Sequence, residues 1–430
     1  MIDSQVGFTS DVIKDASRFV GRTDSIRDCV KALNTPLGLL AIYGKRGVGK
    51  SSLLRQVQKM ALGDYTIVKR GRIIHEVPSK LRSYVTVFYT CDSMIADGPD
   101  LLKRLCNDQD DQDGLLRLVP NDGKEHTELS RTTEISGAID LQVANWGSKG
   151  VEASKYARTV PGDIVQTFRN YVQSIVTHIV KKKMHRDALL ILLDEFDVIA
   201  NKTGLGSLIK SLSSETVKFG ICGIGRDLSD LVADHHSVER LLEEGAINVK
   251  SMPDAEIKDI FSTAQNLFKG KVRFESDVID EIAHMSGGYP YLAQLIGKEC
   301  VNILNRKGGS KVDKNILGDV ERDISEGRAF PTLEQQYQKA IGNSDGRRVL
   351  LHFLAEQADE TNLEDQERGK VLLKRLREDA AFLGIDYVDQ LIPRLVDKAY
   401  GPVLFRHPER PGVYEFVNPV LRLYIRLRHY

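Results

Sequence analysis

The sequence predicts an α/β fold: a parallel sheet covered by helices on both faces, then a helical region and a C-terminal winged helix. Three observations carry this reading. The apolar run LGLLAIY (37–43) stops at Gly44 and gives way to the spacing G-x-x-x-x-G-K-S over residues 44–51. Two further runs, ALLILLDEFD (188–197) and KFGICGIG (218–225), are continuously apolar and end in a charged or glycine-bearing turn. Strands apolar along their whole length are buried on both faces, which is how strands of a parallel α/β sheet read.

Taken in order, 37–43 is a buried strand and 50–62 the helix after it. YVTVFYTC (84–91) is a second strand. DIVQTFRNYVQSIVTHIVKKK (163–183) has helical periodicity, with Phe168, Val172, Ile175, Val176 and Ile179 on one side. Residues 92–160 form an insertion in this core. It holds the acidic NDQDDQDG (107–114), and its alternation Ile135, Ala138, Ile139, Leu141, Val143 before NWGSKG reads as an exposed hairpin or as an irregular loop. After residue 250 the texture turns helical. PDAEIKDIFSTAQNLF opens with proline and acids, and FESDVIDEIAHMSGGYPYLAQLIGKECVNIL is two helices broken at Gly287-Gly288-Tyr289-Pro290. LEQQYQKAI, RRVLLHFLAEQ and VDQLIPRLVDKAY precede two short β runs around HPERPG, the order of a winged helix. The boundaries expected are 1–250 for the core, 251–330 for a helical lid and 331–430 for the winged helix.

At 430 residues, two or three domains are expected. Sixty basic residues balance sixty acidic ones, so any polyanion contact must be a local face. The five cysteines carry no C-x-x-C pair and read as small buried apolar residues of a reducing compartment. The first residues lack an apolar leader and no 18-residue apolar run occurs, so a cytoplasmic location with no membrane span is expected.

The glycine-spaced loop is a phosphate cradle. Gly44, Gly47 and Gly49, with Val48 between them, let backbone N–H groups curl around an anion at the positive end of a helix. Lys50 would reach the β- and γ-phosphates, the Ser51 hydroxyl would ligate Mg²⁺, and Ser52 completes the loop. Asp194 ends a strand expected beside the loop and would hold Mg²⁺ with Ser51. Glu195 is placed to polarise an attacking water; otherwise these are an N-cap acid and its exposed partner. Asp197 reads more readily as a cap or partner contact. Arg226, in the turn after the 218–225 strand, would read the γ-phosphate as a forked donor, or pair with Asp227 or Asp230. Arg240 is either a finger given in trans to a neighbouring subunit's nucleotide or a solvated arginine. His235 and His236 are adjacent, and a metal site there is not expected. Residues 401–430 hold Arg406, Arg410, Arg422, Arg426 and Arg428 against two glutamates. These could meet DNA through the wing, or clamp an acidic face of the same chain.

Together these segments resemble AAA+ ATPases of the origin-recognition type and their signal-transduction (STAND) relatives, all P-loop NTPases, from about residue 18 to 300 plus the terminal winged helix. RFVGRTDSIRDCV resembles their adenine-pocket box, which implies that Val20, Gly21 and Arg22 wrap the base. Gly288-Tyr289-Pro290 resembles the STAND G-x-P lid signature, which implies that Pro290 packs over it. Arg226 resembles the STAND strand-end arginine. The resemblance implies an ATPase that switches between ATP and ADP states with Mg²⁺, oligomerises with ATP bound, and engages a separate effector or sensor protein. It also implies settings in mobile-element or antiviral defence. The alternative is an origin-recognition-like, DNA-binding initiator or loader.

Overall fold

In the computed structural model the described residues are 1–78, 81–118, 163–232, 234, 238–360, 370–380, 384–385, 387–407 and 410–428. The expected 135–150 hairpin, His235 and His236 lie outside them. The described chain clusters into two units. One holds residues 13–44 and 50–249; the other holds 1–12, the loop 45–49 and 250–430.

The first unit is built on five parallel strands: β1 (Leu40–Gly44), β2 (Tyr84–Thr90), β3 (Ala188–Asp194), β4 (Val217–Ile224) and β5 (Ala246–Asn248). Their order is β2-β3-β4-β1-β5. The three apolar runs thus become neighbours, with Ile42 opposite Cys222 and Leu192 opposite Gly220. Every residue of β3 is buried, as its unbroken apolar run requires. Helices α1 (Thr23–Asn34), α2 (Lys50–Leu62), α3 (Thr66–Arg70), α4 (Gly98–Cys106), α5 (Ile164–Ile175), α6 (Leu205–Leu212), α7 (Leu228–Leu231) and α8 (Glu239–Leu242) also belong to this unit. Alternation along the strands splits the core. Leu189, Ile191 and Leu193 of β3 share one buried cluster with Phe168 and Ile175 of α5 and Leu102 of α4, while α2 packs against β1, β2, β3 and β4. The helix read over 163–183 widens into π-helical turns over Val176–Lys183. All five cysteines are buried and free, as expected.

Lys218 of β4 is a charge inside this unit. It is 2% exposed, and its Nζ donates to the Thr35 carbonyl at 2.7 Å. Burial, reinforced by Arg82, pushes its ammonium down to about 8. Between about pH 8 and 10.5 the unfolded chain holds a proton that the folded chain has released. Stability therefore rises with pH across that window, by at most about 1.4 kcal/mol per unit. Lys218→Met removes this contribution, measured as the difference between wild-type and variant urea midpoints from pH 7.5 to 10.

The second unit continues with α9 (Asp254–Leu267), α10 (Ser276–Met285), α11 (Pro290–Lys307) and α12 (Lys314–Ser325). Two short parallel strands, β6 (Arg273–Phe274) and β7 (Lys311–Val312), tie this group together. The N-terminal residues belong here, which the sequence reading did not foresee. Phe8 is fully buried, with its ring 5.3–6.0 Å from those of Phe261, Phe268 and Phe274. Gln294 accepts from the Thr9 amide. The chain then forms α13 (Pro331–Ile341), α14 (Asp345–Glu360), β8 (Lys370–Leu372), α15 (Leu373–Ala380), α16 (Val388–Val396), β9 (Leu404–Arg406), β10 (Val413–Phe416) and α17 (Pro419–Leu427). β10 pairs antiparallel with both β8 and β9, so the runs around HPERPG are a hairpin.

Candidate nucleotide site

β1 leaves the sheet at Gly44, whose carbonyl accepts from Gly225 N at 3.3 Å, and α2 begins at Lys50. Gly44, Gly47 and Gly49 all have positive φ, so the chain between strand and helix coils as a cradle of backbone N–H groups must. At Gly44 a side chain is also excluded by close approach, since a Cβ would lie 2.4 Å from the Val249 carbonyl oxygen.

In the first unit the predicted acids and hydroxyl converge. The Ser51 hydroxyl donates to Asp194 Oδ1 at 3.1 Å, across 143 residues of sequence. Asp194 is 6% exposed, and the same oxygen accepts the Glu195 amide at 3.0 Å. A hydroxyl beside a carboxylate is the all-oxygen donor set that suits Mg²⁺. Lys50 is buried at the first turn of α2. The fully buried Cys222 thiol is raised well above its ordinary range, first by burial and then by the Asp194 charge, with Lys50 opposing. Cys222 therefore reports lysine and carboxylate in one neighbourhood. Glu195 is exposed and left-handed, at φ +52. A non-glycine residue held there costs on the order of 1 kcal/mol.

Ser52 Oγ accepts from Ile13 N at 2.9 Å, and Gln56 donates to the Ile13 and Lys14 carbonyls, so α2 holds the stretch leading to Val20. Val20 is half-buried, Gly21 and Arg22 are both left-handed, and Arg22 is buried as it enters α1. Arg240 is exposed on α8.

Of the two acids near it in sequence, Asp227 and Asp230, Arg226 pairs with Asp230. Asp227 is spent on α7, accepting from Ser229 N and Asp230 N. Asp230 takes the arginine, accepting from Arg226 Nε and Nη2 at 3.0 Å each. The residue that sequence reasoning undervalued is Asp197. Its Oδ1 accepts Ile224 N at 2.7 Å and braces the end of β4 against the turn after β3. Gly223 permits this approach, because a Cβ there would stand 2.6 Å from that oxygen. The G-x-G of ICGIG was the available signal.

In the second unit, the loop residues 45–49 pack among the later helices. Tyr291 N donates to the Gly47 carbonyl at 3.5 Å, Lys45 pairs with the buried Glu415 of β10, and Pro290 lies 3.9 Å from where a Gly49 Cβ would stand. Pro290 opens α11, as the break at Gly288 predicts, and Gly288 is obliged by φ +79 and a Cβ position 2.5 Å from the Met252 carbonyl. Two of the five terminal arginines turn inward. Arg422 is buried, donating to the Ala355 carbonyl at 3.3 Å, and Arg428 Nε donates to Glu334 at 3.0 Å. Arg406 and Arg410 are exposed on the β9–β10 hairpin.

Neither a protein-family model nor a curated protein sequence matches the chain. Among solved structures it is similar to Cdc6p from Pyrobaculum aerophilum, with TM-score 0.44 and 12% identity over 99% of this chain and 98% of that one. It is similar to the Aeropyrum pernix ORC1 protein, solved with DNA, with TM-score 0.42 and 12% identity over 99% and 96%. The RuvB Holliday junction branch migration motor of Thermotoga maritima gives TM-score 0.39 and 14% identity over 93% and 92%. Among the described residues no helix is long and apolar enough to cross a membrane.

Proposed function

We propose that this chain binds and hydrolyses ATP as a molecular switch of the AAA+/STAND type. The observation that carries the reading is the Ser51–Asp194 hydrogen bond at the carboxyl ends of β1 and β3, with β4 between them. Ligands of open parallel sheets bind outside the carboxyl ends of the strands. A residue leaving β4 there emerges between the ends of β1 and β3, and that turn holds Arg226.

Each group has one task in this reading. The N–H groups of the loop, Val48 among them, and Lys50 take the phosphates, while Ser51 and Asp194 hold Mg²⁺. Bound there, Mg²⁺ supplies charge neutralisation on the phosphate oxygens. Glu195 accepts the proton of the attacking water, Arg226 reads the terminal phosphate, and Arg240 acts in trans in an ATP-bound oligomer. Val20, Gly21 and Arg22 take the base. A separate effector or sensor protein receives the change of state, in a mobile-element or defence setting.

Purified protein should release phosphate from ATP slowly, with a requirement for Mg²⁺ that EDTA reverses. Protein that neither binds nor turns over ATP, alone or with co-purifying partners, overturns the reading. The exposure of Arg406 and Arg410 on the β9–β10 hairpin favours the initiator alternative, while Arg422 and Arg428 are bonded within the chain.

A further inference from the structure

The carboxylate of Asp230 closes a ring on Arg226. Its Oδ2 accepts both the backbone N–H of Arg226, at 2.9 Å, and Nε, at 3.0 Å, while Oδ1 accepts Nη2 at 3.0 Å. The guanidinium is thereby engaged edge-on, in the bidentate geometry that arginine otherwise offers to a carboxylate or phosphate ligand. The ring is itself anchored. Lys202 Nζ donates to the Asp230 carbonyl at 2.9 Å, Asp227 caps the helix that carries Asp230, and Asp197 holds Ile224 on the other side of Arg226. Burial alone would raise the Asp230 carboxyl, yet the hydrogen bonds and charge of Arg226 outweigh it and hold it low. The pair is ionised at neutral pH.

We propose that Asp230 is a competing anion that holds Arg226 in reserve, so that only a ligand bearing a γ-phosphate draws the arginine away and ATP is told from ADP by that exchange. The inference rests on the proposed nucleotide reading and adds a residue to it. Asp230 touches no reacting atom and acts through Arg226, as a positioning residue. The physical logic is competition. An arginine already neutralised attracts a second anion less, and its release costs the ATP state and leaves the ADP state untouched. Both partners are about one-third exposed, which keeps that cost small. A partly exposed pair of this kind corresponds to a factor of up to about five in an equilibrium constant.

The test is the ratio of ATP to ADP affinities of the full chain, measured with Mg²⁺ by equilibrium titration. Asp230→Asn keeps the side-chain size but removes the charge and one acceptor, and should raise the preference for ATP by about two- to fivefold. Asp230→Glu should return it close to wild type. Arg226→Ala should lower the preference, and Arg226→Ala with Asp230→Asn should match Arg226→Ala alone. An unchanged or lowered ratio in Asp230→Asn, with wild type binding ATP normally, overturns this inference and leaves the ATPase reading standing. Equal weakening of ATP and ADP in Asp230→Asn also overturns it, because the competition acts on one nucleotide only. A wild type that binds neither nucleotide overturns both.

Discussion

Lys50→Ala should weaken ATP binding at least about a hundredfold, equivalent to about 3 kcal/mol. The lysine begins α2, is 8% exposed, and shares its surroundings with Asp194 and Cys222. On the proposed reading its ammonium meets the phosphates from a site largely shielded from water. Interactions of charged groups in such a place lose little to screening, so the loss exceeds that of a surface charge. Equilibrium titration with a fluorescent ATP analogue reads the effect. Lys50→Arg should restore only part of the affinity, because a planar fork replaces a compact ammonium.

Glu195→Gln has a different signature. ATP binding should remain within a few-fold of wild type, while turnover should fall by about two to four orders of magnitude, the usual worth of a general base. The expectation follows from the division of labour at the end of β3. Asp194 accepts from Ser51 and is buried, whereas Glu195 is exposed and has a left-handed backbone. Removing the glutamate's charge leaves the Ser51–Asp194 contact intact. Single-turnover phosphate release, compared with bound ATP on filters, separates the two quantities. Equal loss of binding and turnover would place Glu195 in the phosphate or metal shell instead.

Much of the core was legible because its signals are local and redundant. An unbroken apolar run such as ALLILLD has only one comfortable place, the middle of a parallel sheet, and it is buried at every residue. The loop could be read because positive φ at Gly44, Gly47 and Gly49 leaves a mark in composition. The Gly288–Pro290 break was equally plain. What escaped was the long-range use of ordinary residues. Phe8 carries no pattern that assigns an N-terminal segment to Phe261, Phe268 and Phe274. Lys218, flanked by apolar residues, looks like an interruption and proves to be a buried donor to Thr35. At the site, the choice between Asp227 and Asp230 for Arg226 depended on where a one-turn helix starts, and the cap at Asp227 decided it. The terminal arginines show the same limit. Spacing alone could not tell Arg428, bound to Glu334, from Arg406, exposed on the hairpin.

Calorimetric titration of ATP with Mg²⁺ into the wild-type chain tests the central claim most directly, with Lys50→Ala alongside. The account predicts saturable binding of one nucleotide per chain by the wild type, and its loss in the variant. An absence of saturable heat in the wild type up to millimolar nucleotide, or equal binding by Lys50→Ala, would contradict it.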